Sequence, residues 1–261
     1  MTSPSFSLDG KVALITGGSS GIGKAIALTF ARAGADVVVC ARHLPALEKV
    51  AEEIRALGKC ALAIQANIGI KEDVDNMVDT TTKEFGAIDI LVNNACETKN
   101  PHKIVVELSE DEWDIVMDTD LKGYYFCSQA AGKLMMNKKR GNIINTSSVS
   151  AVIPQTPPLG AYSIAKAGVA MLTKTLAVEL APYNIRVNAV GPGFVRTGWT
   201  EYYWSEPREL EKLKPKIDRT PLKRFADSGD VAAAALFLAS DASKSITGQT
   251  IFVDGGWLIG T

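Results

Sequence analysis

Histidine and cysteine are scarce in this chain: two of the first, His43 and His102, and four of the second, Cys40, Cys60, Cys96 and Cys127. The histidines are not paired and no two cysteines stand at C-x-x-C spacing, so zinc-type ligand sets are missing and no metal centre is expected. Three cysteines fall in apolar runs, which reads as buried free thiols rather than disulfides. An excess of one charge is missing too. A net charge of −1, with no basic cluster interleaved with aromatics, offers no field to nucleic acid or an anionic membrane. No apolar run approaches the roughly 20 residues that span a bilayer, and residues 1–9 lack the parts of a signal peptide, so a cytoplasmic location is expected. What is present is an ordinary globular composition of 261 residues, 46% hydrophobic and 22% charged. No repeat, low-complexity tract or linker divides it, and residues 1–261 read as one domain.

Short β-branched runs alternate with helical periods. Strands are expected at 11–16, 36–41, 60–65, 89–92, 141–147, 185–190 and 249–253. Helices are expected at 22–33, 44–57, 72–85, 109–136, 161–181 and 227–239, the fourth opened by the capping box Ser109-Glu110-Asp111-Glu112. Residues 198–225 show no clean period. Strands alternating with helices of this length make βαβ units, hence an α/β fold with a doubly wound parallel sheet covered on both faces. Ligands in such folds sit at the carboxyl ends of the strands, where Asn67, Asn93 and Ala95 fall.

The first strand runs into Gly17-Gly18-Ser19-Ser20-Gly21-Ile22-Gly23, which opens a helix. Free N–H groups and the dipole at a helix start favour an anion, and glycines allow its close approach. The spacing is G-x-x-x-G-x-G, not G-x-G-x-x-G, and a turn that merely needs small residues is the competing reading. At the tip of the second strand an acid would bind a ribose 2′-hydroxyl, whereas Arg suits a 2′-phosphate. Here Arg42 and His43 follow Ala41, which favours NADP(H) with NAD(H) as the alternative; a solvated surface arginine is the plain reading.

The second informative stretch runs from Gly141 to Lys174. Ser147 and Ser148 end its strand, and Tyr162 and Lys166 stand four apart near the start of its helix, on one face. A cation beside a phenol favours the phenolate, a plausible acid–base pair, and Ser148 is placed to bond the same substrate oxygen. Such a spacing arises readily by chance, so its weight comes from its position after a serine-ended strand and from the upstream glycine turn.

Taken together, Thr16-Gly17-x-x-x-Gly21-Ile22-Gly23, Asn93-Asn94-Ala95, Ser148, Tyr162-x-x-x-Lys166, Pro192-Gly193 and Val253-Asp254-Gly255-Gly256 resemble the short-chain dehydrogenase/reductase family from about residue 8 to 256. The resemblance implies a Rossmann-type sheet of about seven strands, NAD(P)(H)-dependent interconversion of a secondary alcohol and a carbonyl, and a homotetramer or homodimer. Helical segments 109–136 and 161–181 would form its interfaces. It implies Tyr162 as acid/base, Lys166 as its modulator on the nicotinamide ribose, and Ser148 rather than Ser147 as the residue that orients the carbonyl. It further implies Gly17, Ser19 and Ile22 along a pyrophosphate, with Ser20, Gly21 and Gly23 in the same turn. Asn67 and Ile68 would lie near adenine, Asn93 and Ala95 near ribose, and Val195 and Thr197, after Pro192 and Gly193, near the carboxamide.

Two departures stand out. Cys96 replaces the usual glycine of Asn-Asn-Ala-Gly. Asp120 replaces the usual fourth catalytic residue, an asparagine, and either keeps the relay and raises the Lys166 pKa or marks a weakened enzyme. The segment 194–225 would be the substrate loop or lid, its aromatics Trp199, Tyr202, Tyr203 and Trp204 roofing a cyclic or hydroxylated small molecule or else packing the loop itself. Two rival functions are a 3-oxoacyl thioester reductase, for which Lys138, Lys139 and Arg140 are the one candidate docking patch or else a solvated turn, and a non-catalytic cofactor-binding sensor or scaffold.

Overall fold

The computed structural model describes residues 5–97, 103–154, 159–197, 200 and 204–260. Seven strands form one sheet: β1 (Val12–Thr16), β2 (Asp36–Ala41), β3 (Ala61–Gln65), β4 (Ile90–Asn93), β5 (Gly141–Thr146), β6 (Ile185–Pro192) and β9 (Thr250–Val253), in the order β3-β2-β1-β4-β5-β6-β9. Every neighbouring pair is parallel. All five residues of β1 are buried, as expected of a strand covered on both faces.

The period-2 alternation of each strand divides the core. Ala13, Ile15, Val37 and Val39 face α1 (Gly21–Arg32), α2 (Leu44–Ala56) and α8 (Ser228–Ala239). Leu14, Val38 and Leu91 face α3 (Lys71–Phe85), α5 (Gly123–Lys138) and α6 (Gly160–Leu180). Because β1 lies between β2 and β4, the chain leaves it to one side and returns to the other, and the crevice of a doubly wound sheet opens at that reversal.

Three features differ from the expected elements. The segment 109–136 is α4 (Glu110–Met117) and α5 joined by a π turn, Asp118–Lys122, and the capping box at Ser109 and Glu112 is present. Gly123 marks the reason: a Cβ there would lie 2.7 Å from the Ile68 side chain, so the helix passes at close range and widens just before it. The stretch 198–225, expected to lack a clean period, contains α7 (Pro207–Arg219), an amphipathic helix in which Leu213 and Ile217 stand at helical spacing among charged residues despite the internal Pro215. It is bracketed by a small parallel pair, β7 (Val195–Arg196) with β8 (Ala226–Asp227). Cys40 and Cys127 are buried free thiols as expected, whereas Cys60 is exposed.

The glycine turn is tightly packed. A Cβ on Gly17, which has φ +66°, would come 2.7 Å from Ala95 Cα, and one on Gly23 would meet the Gly17 carbonyl oxygen at 2.2 Å and Asn94 Nδ2 at 2.5 Å. The Ala95 Cα and the Gly17 carbonyl are backbone neighbours that cannot swing aside. Gly23→Ala is therefore expected to cost about 1–3 kcal/mol of stability, read from the urea midpoint of the variant. An unchanged midpoint would show that the turn relaxes freely.

Candidate active site

A cleft of about 990 Å³ lies along the carboxyl ends of the strands. Its floor at one end is the turn from β1 into α1. The α1 N-cap Ser20 makes no side-chain cap and the first turn carries no acid, leaving the dipole of that helix end uncompensated by the chain itself. Behind it, the Thr16 hydroxyl accepts the backbone N–H groups of Asn94 and Ala95 at 3.0 and 3.1 Å, fixing the segment after β4 against the glycine turn.

At the other end, Ser148 follows β5, and its hydroxyl accepts the Ser150 N–H at 3.1 Å. Tyr162 and Lys166 occupy the first turns of α6, both on the cleft, and the Ser148 hydroxyl lies within hydrogen-bonding reach of the phenol. Lys166 is only 1% exposed. Its Nζ donates to Tyr124 Oη and to the Thr146 carbonyl, both at 3.2 Å, and stands 3.7 Å from Asp120 Oδ2. Asp120 is wholly buried on the π turn. Its Oδ1 accepts the Glu97 N–H at 2.7 Å and its Oδ2 accepts the Cys96 thiol at 3.1 Å.

The electrostatics follow from this enclosure. Burial pushes the Tyr162 phenol above its ordinary value, with Lys166 and Ser148 pulling the other way. The reading that Lys166 would bring the phenol down thus holds for that one interaction, but desolvation outweighs it and the phenol is a protonated donor at neutral pH. Burial draws Lys166 down, yet Asp120 foremost holds it above its usual value, as an ammonium. Asp120 is raised by burial, opposed by Lys166 and the Glu97 amide. Burial and the Asp120 charge push the Cys96 thiol well up, so it serves as a hydrogen-bond donor rather than a nucleophile.

Most of the residues singled out from sequence line this cleft: Gly17, Ser19, Ser20, Gly21, Ile22, Arg42, His43, Asn67, Ile68, Ala95, Ser148, Tyr162, Lys166, Pro192, Gly193, Val195 and Thr197. Three do not. Gly23 sits behind the turn as a packing residue. Asn93 is turned into the core, where its Nδ2 donates to Ser128 Oγ at 3.0 Å and Asn145 Oδ1 at 2.9 Å, and the neighbouring Asn94 lines the cleft instead. The alternation of β4 accounts for this: the last residue of a strand buried on both faces points into a core. Asp120 stands behind Lys166 rather than on the cleft surface.

Glu97, which no sequence signal marked, is completely buried and accepts Arg42 Nη1 at 2.9 Å. Glu209, Lys212, Leu213 and Lys216 of α7 also line the cleft. Of the four expected lid aromatics, Trp199, Tyr202 and Tyr203 lie outside the described residues. Trp204 packs edge-on against Phe225 at 5.7 Å, and Phe225 stacks on Phe194 at 5.2 Å. Trp204 therefore packs the loop itself, and Phe194 rather than Trp204 lines the cleft. Lys138 donates to the Gly86 carbonyl at 2.8 Å and Arg140 pairs with Asp89, both before β5 begins and so at the amino-terminal end of the strands, opposite the cleft. That patch is correspondingly misplaced for delivering a substrate.

The cleft fits a dinucleotide on its own features: an uncapped helix start, a glycine turn whose Gly17, Ser19, Ser20 and Gly21 line it, and an arginine at the tip of β2. With a tyrosine and an ammonium at its far end, that layout defines a nicotinamide-dependent oxidoreductase.

Comparison with known proteins makes the class specific. A family model described as enoyl-(acyl carrier protein) reductase matches residues 17–258. The 3-oxoacyl-(acyl-carrier-protein) reductase of Synechocystis sp. is 42% identical over 254 residues, covering 97% of this chain and 98% of its own length. A Staphylococcus aureus protein of the same name is 43% identical over 94% of this chain and 97% of its own. Among solved structures, a short-chain type dehydrogenase/reductase from Mycobacterium marinum superposes with a TM-score of 0.91 at 40% identity, covering 98% of each chain. A gluconate 5-dehydrogenase from Burkholderia cenocepacia, in complex with NADP and tartrate, gives 0.91 at 32% identity over 99% of each. The chain belongs to the short-chain dehydrogenase/reductase family.

Removing the Asp120 charge isolates its part. In Asp120→Asn, burial draws Lys166 down with the foremost opposing charge gone, so the ammonium is lost at lower pH. The alkaline limb of the kcat/KM profile is expected to move to lower pH than in the unsubstituted enzyme; an unmoved limb would show that Asp120 does not set it.

Proposed function

We propose that the protein is an NADP(H)-dependent carbonyl reductase of 3-oxoacyl thioesters, working through Tyr162, Ser148 and Lys166. The observation that carries the reading is the protonated phenol at the cleft with Ser148 beside it, a proton donor set for the reducing direction. The bound nicotinamide would supply the hydride. Ser148 and Tyr162 would hold the carbonyl oxygen between two O–H donors, and Tyr162 Oη would give up its proton as negative charge develops there. Lys166, kept charged by Asp120, would stabilise the phenolate that remains. Gly17, Ser19, Ser20, Gly21 and Ile22 would hold the pyrophosphate, Asn67, Ile68 and Ala95 the adenosine, and Pro192, Gly193, Val195 and Thr197 the carboxamide side. Segment 194–225 would act as the substrate loop, with Leu159, Phe194 and Leu213 giving the cleft apolar walls suited to an acyl chain. The reductases named above, alike over nearly the whole chain, support this choice.

A second substrate class, hydroxylated carboxylic acids, is favoured by Lys212 and Lys216 on the cleft and by the resemblance to the gluconate dehydrogenase. The sensor or scaffold reading is disfavoured, because Ser148, Tyr162 and Lys166 converge on one cleft. Oxidation of NADPH by an acetoacetyl thioester, faster than reduction of NADP by gluconate or tartrate, is the expected outcome; the reverse order selects the hydroxy acids. Tyr162→Phe is expected to lower kcat by about 10²–10⁴-fold with NADPH affinity unchanged by fluorescence titration. Near-normal turnover would remove Tyr162 from the reaction.

We also infer assembly through α5 and α6. Ile164, Met171 and Val178 recur every seven residues along α6 and are 43, 60 and 77% exposed, an apolar strip that a second copy would cover. Light scattering is expected to give a dimer or tetramer that Val178→Glu breaks into smaller species; a monomeric parent protein would refute it.

A further inference from the structure

We propose that Glu97 determines the choice between the two nicotinamide dinucleotides, by holding Arg42 in an ion pair that blunts its attraction for a 2′-phosphate. The inference rests on the nucleotide-binding reading of the cleft and concerns its adenosine end. Arg42 follows the last residue of β2, and Glu97 lies four residues beyond the end of β4. Those strands flank β1, so the pair, with Nη1 2.9 Å from Oε2, spans the strand whose glycine turn opens the cleft. The two partners are unequal. The Arg42 side chain is 55% exposed and lines the cleft, whereas the Glu97 side chain has no exposure at all.

Glu97 is also fixed from its main chain, because its N–H donates to the buried Asp120 carboxylate at 2.7 Å. That bond anchors the Glu97 backbone, and its side chain, with no exposure, keeps the carboxylate in the interior beside Arg42. An incoming 2′-phosphate therefore meets a guanidinium whose charge is already matched and one of whose N–H groups is taken, with a buried carboxylate close behind. A ribose 2′-hydroxyl carries no charge and is indifferent to that arrangement. Arg42 alone would select strongly for the phosphorylated cofactor. With Glu97, the selection is reduced to a modest preference, and both dinucleotides bind.

Cofactor binding, not turnover, is the test. By fluorescence titration the unsubstituted protein is expected to bind NADPH no more than about tenfold tighter than NADH. A preference of a thousandfold or more would overturn the proposal without any variant. Glu97→Gln keeps the shape and removes the charge; it is expected to tighten NADPH and adenosine 2′,5′-bisphosphate about tenfold, as for one charged hydrogen bond released, with NADH unchanged. The gain should shrink with added salt. Weaker NADPH binding in the variant would make Glu97 a support for Arg42, and equal changes for both cofactors would make it a packing residue; either result defeats the inference. Should no dinucleotide bind to the parent protein, the nucleotide reading itself fails, an outcome distinct from a wrong role for Glu97.

Discussion

The site depends on one buried ion pair. Lys166 carries its charge where almost no water reaches it, and isolated burial of an ammonium would neutralise the group rather than be tolerated. The surroundings answer with an anion, a carbonyl and a phenol: Asp120 at 3.7 Å, the Thr146 carbonyl and Tyr124 Oη each at 3.2 Å, and the Tyr124 ring 4.7 Å from Nζ. These come from the π turn, β5 and α5, so three elements must close on α6 together. Breaking such a pair by removing one partner leaves an uncompensated charge in the interior. The same cage that keeps Lys166 charged thus also ties the catalytic end of the cleft to the packing of one whole face of the sheet.

The other end is organised by close approach rather than charge. The glycine turn, Asn94 and the Thr16 hydroxyl form one packed unit: Thr16 accepts two amides of the segment after β4, and the Asn94 side chain donates back to the carbonyls of Thr16 and Gly17 at 3.2 and 3.3 Å. The α1 helix start is thereby locked against the crevice that the strand reversal opens. Between the two ends, Glu97 connects them physically, bonding Arg42 with its side chain and Asp120 with its main chain.

Periodicity made the strands and most helices legible, because burial on both faces of a parallel sheet demands continuous apolar runs and its covering helices demand amphipathic ones. β2 (Asp36–Ala41) falls where its apolar run predicts. The glycine turn, Ser148, Tyr162 and Lys166 were legible because each places its chemistry at a strand end or helix start. What stayed hidden depends on the third dimension. Asn93 and Asn94 are adjacent in sequence, yet the pleat sends one into the core and the other to the cleft. Gly23 looks like part of a ligand cradle but is needed for packing against Gly17. Helix α7 is mostly charged, with a proline inside, and although Leu213 and Ile217 stand at helical spacing, its contribution to the cleft follows only from where β7 and β8 place its ends. Glu97 carries no motif, and its partner is 55 residues away.

The carboxylate at position 120 and the cysteine at position 96 make sense as a pair. Where an asparagine stands, one side-chain atom accepts and the other donates; a carboxylate can only accept, and each of its oxygens must find a donor once water is excluded. Asp120 Oδ1 has the Glu97 amide, and Oδ2 has the Cys96 thiol together with the Lys166 ammonium. A glycine at 96 would leave Oδ2 with the ammonium alone, at 3.7 Å, longer than a hydrogen bond. The thiol is too strongly held in its protonated form to compete for charge, so it adds a donor without adding an anion. The two departures from the family pattern therefore offset one another: the carboxylate strengthens the hold on Lys166, and the cysteine supplies the proton that makes a buried carboxylate tolerable there.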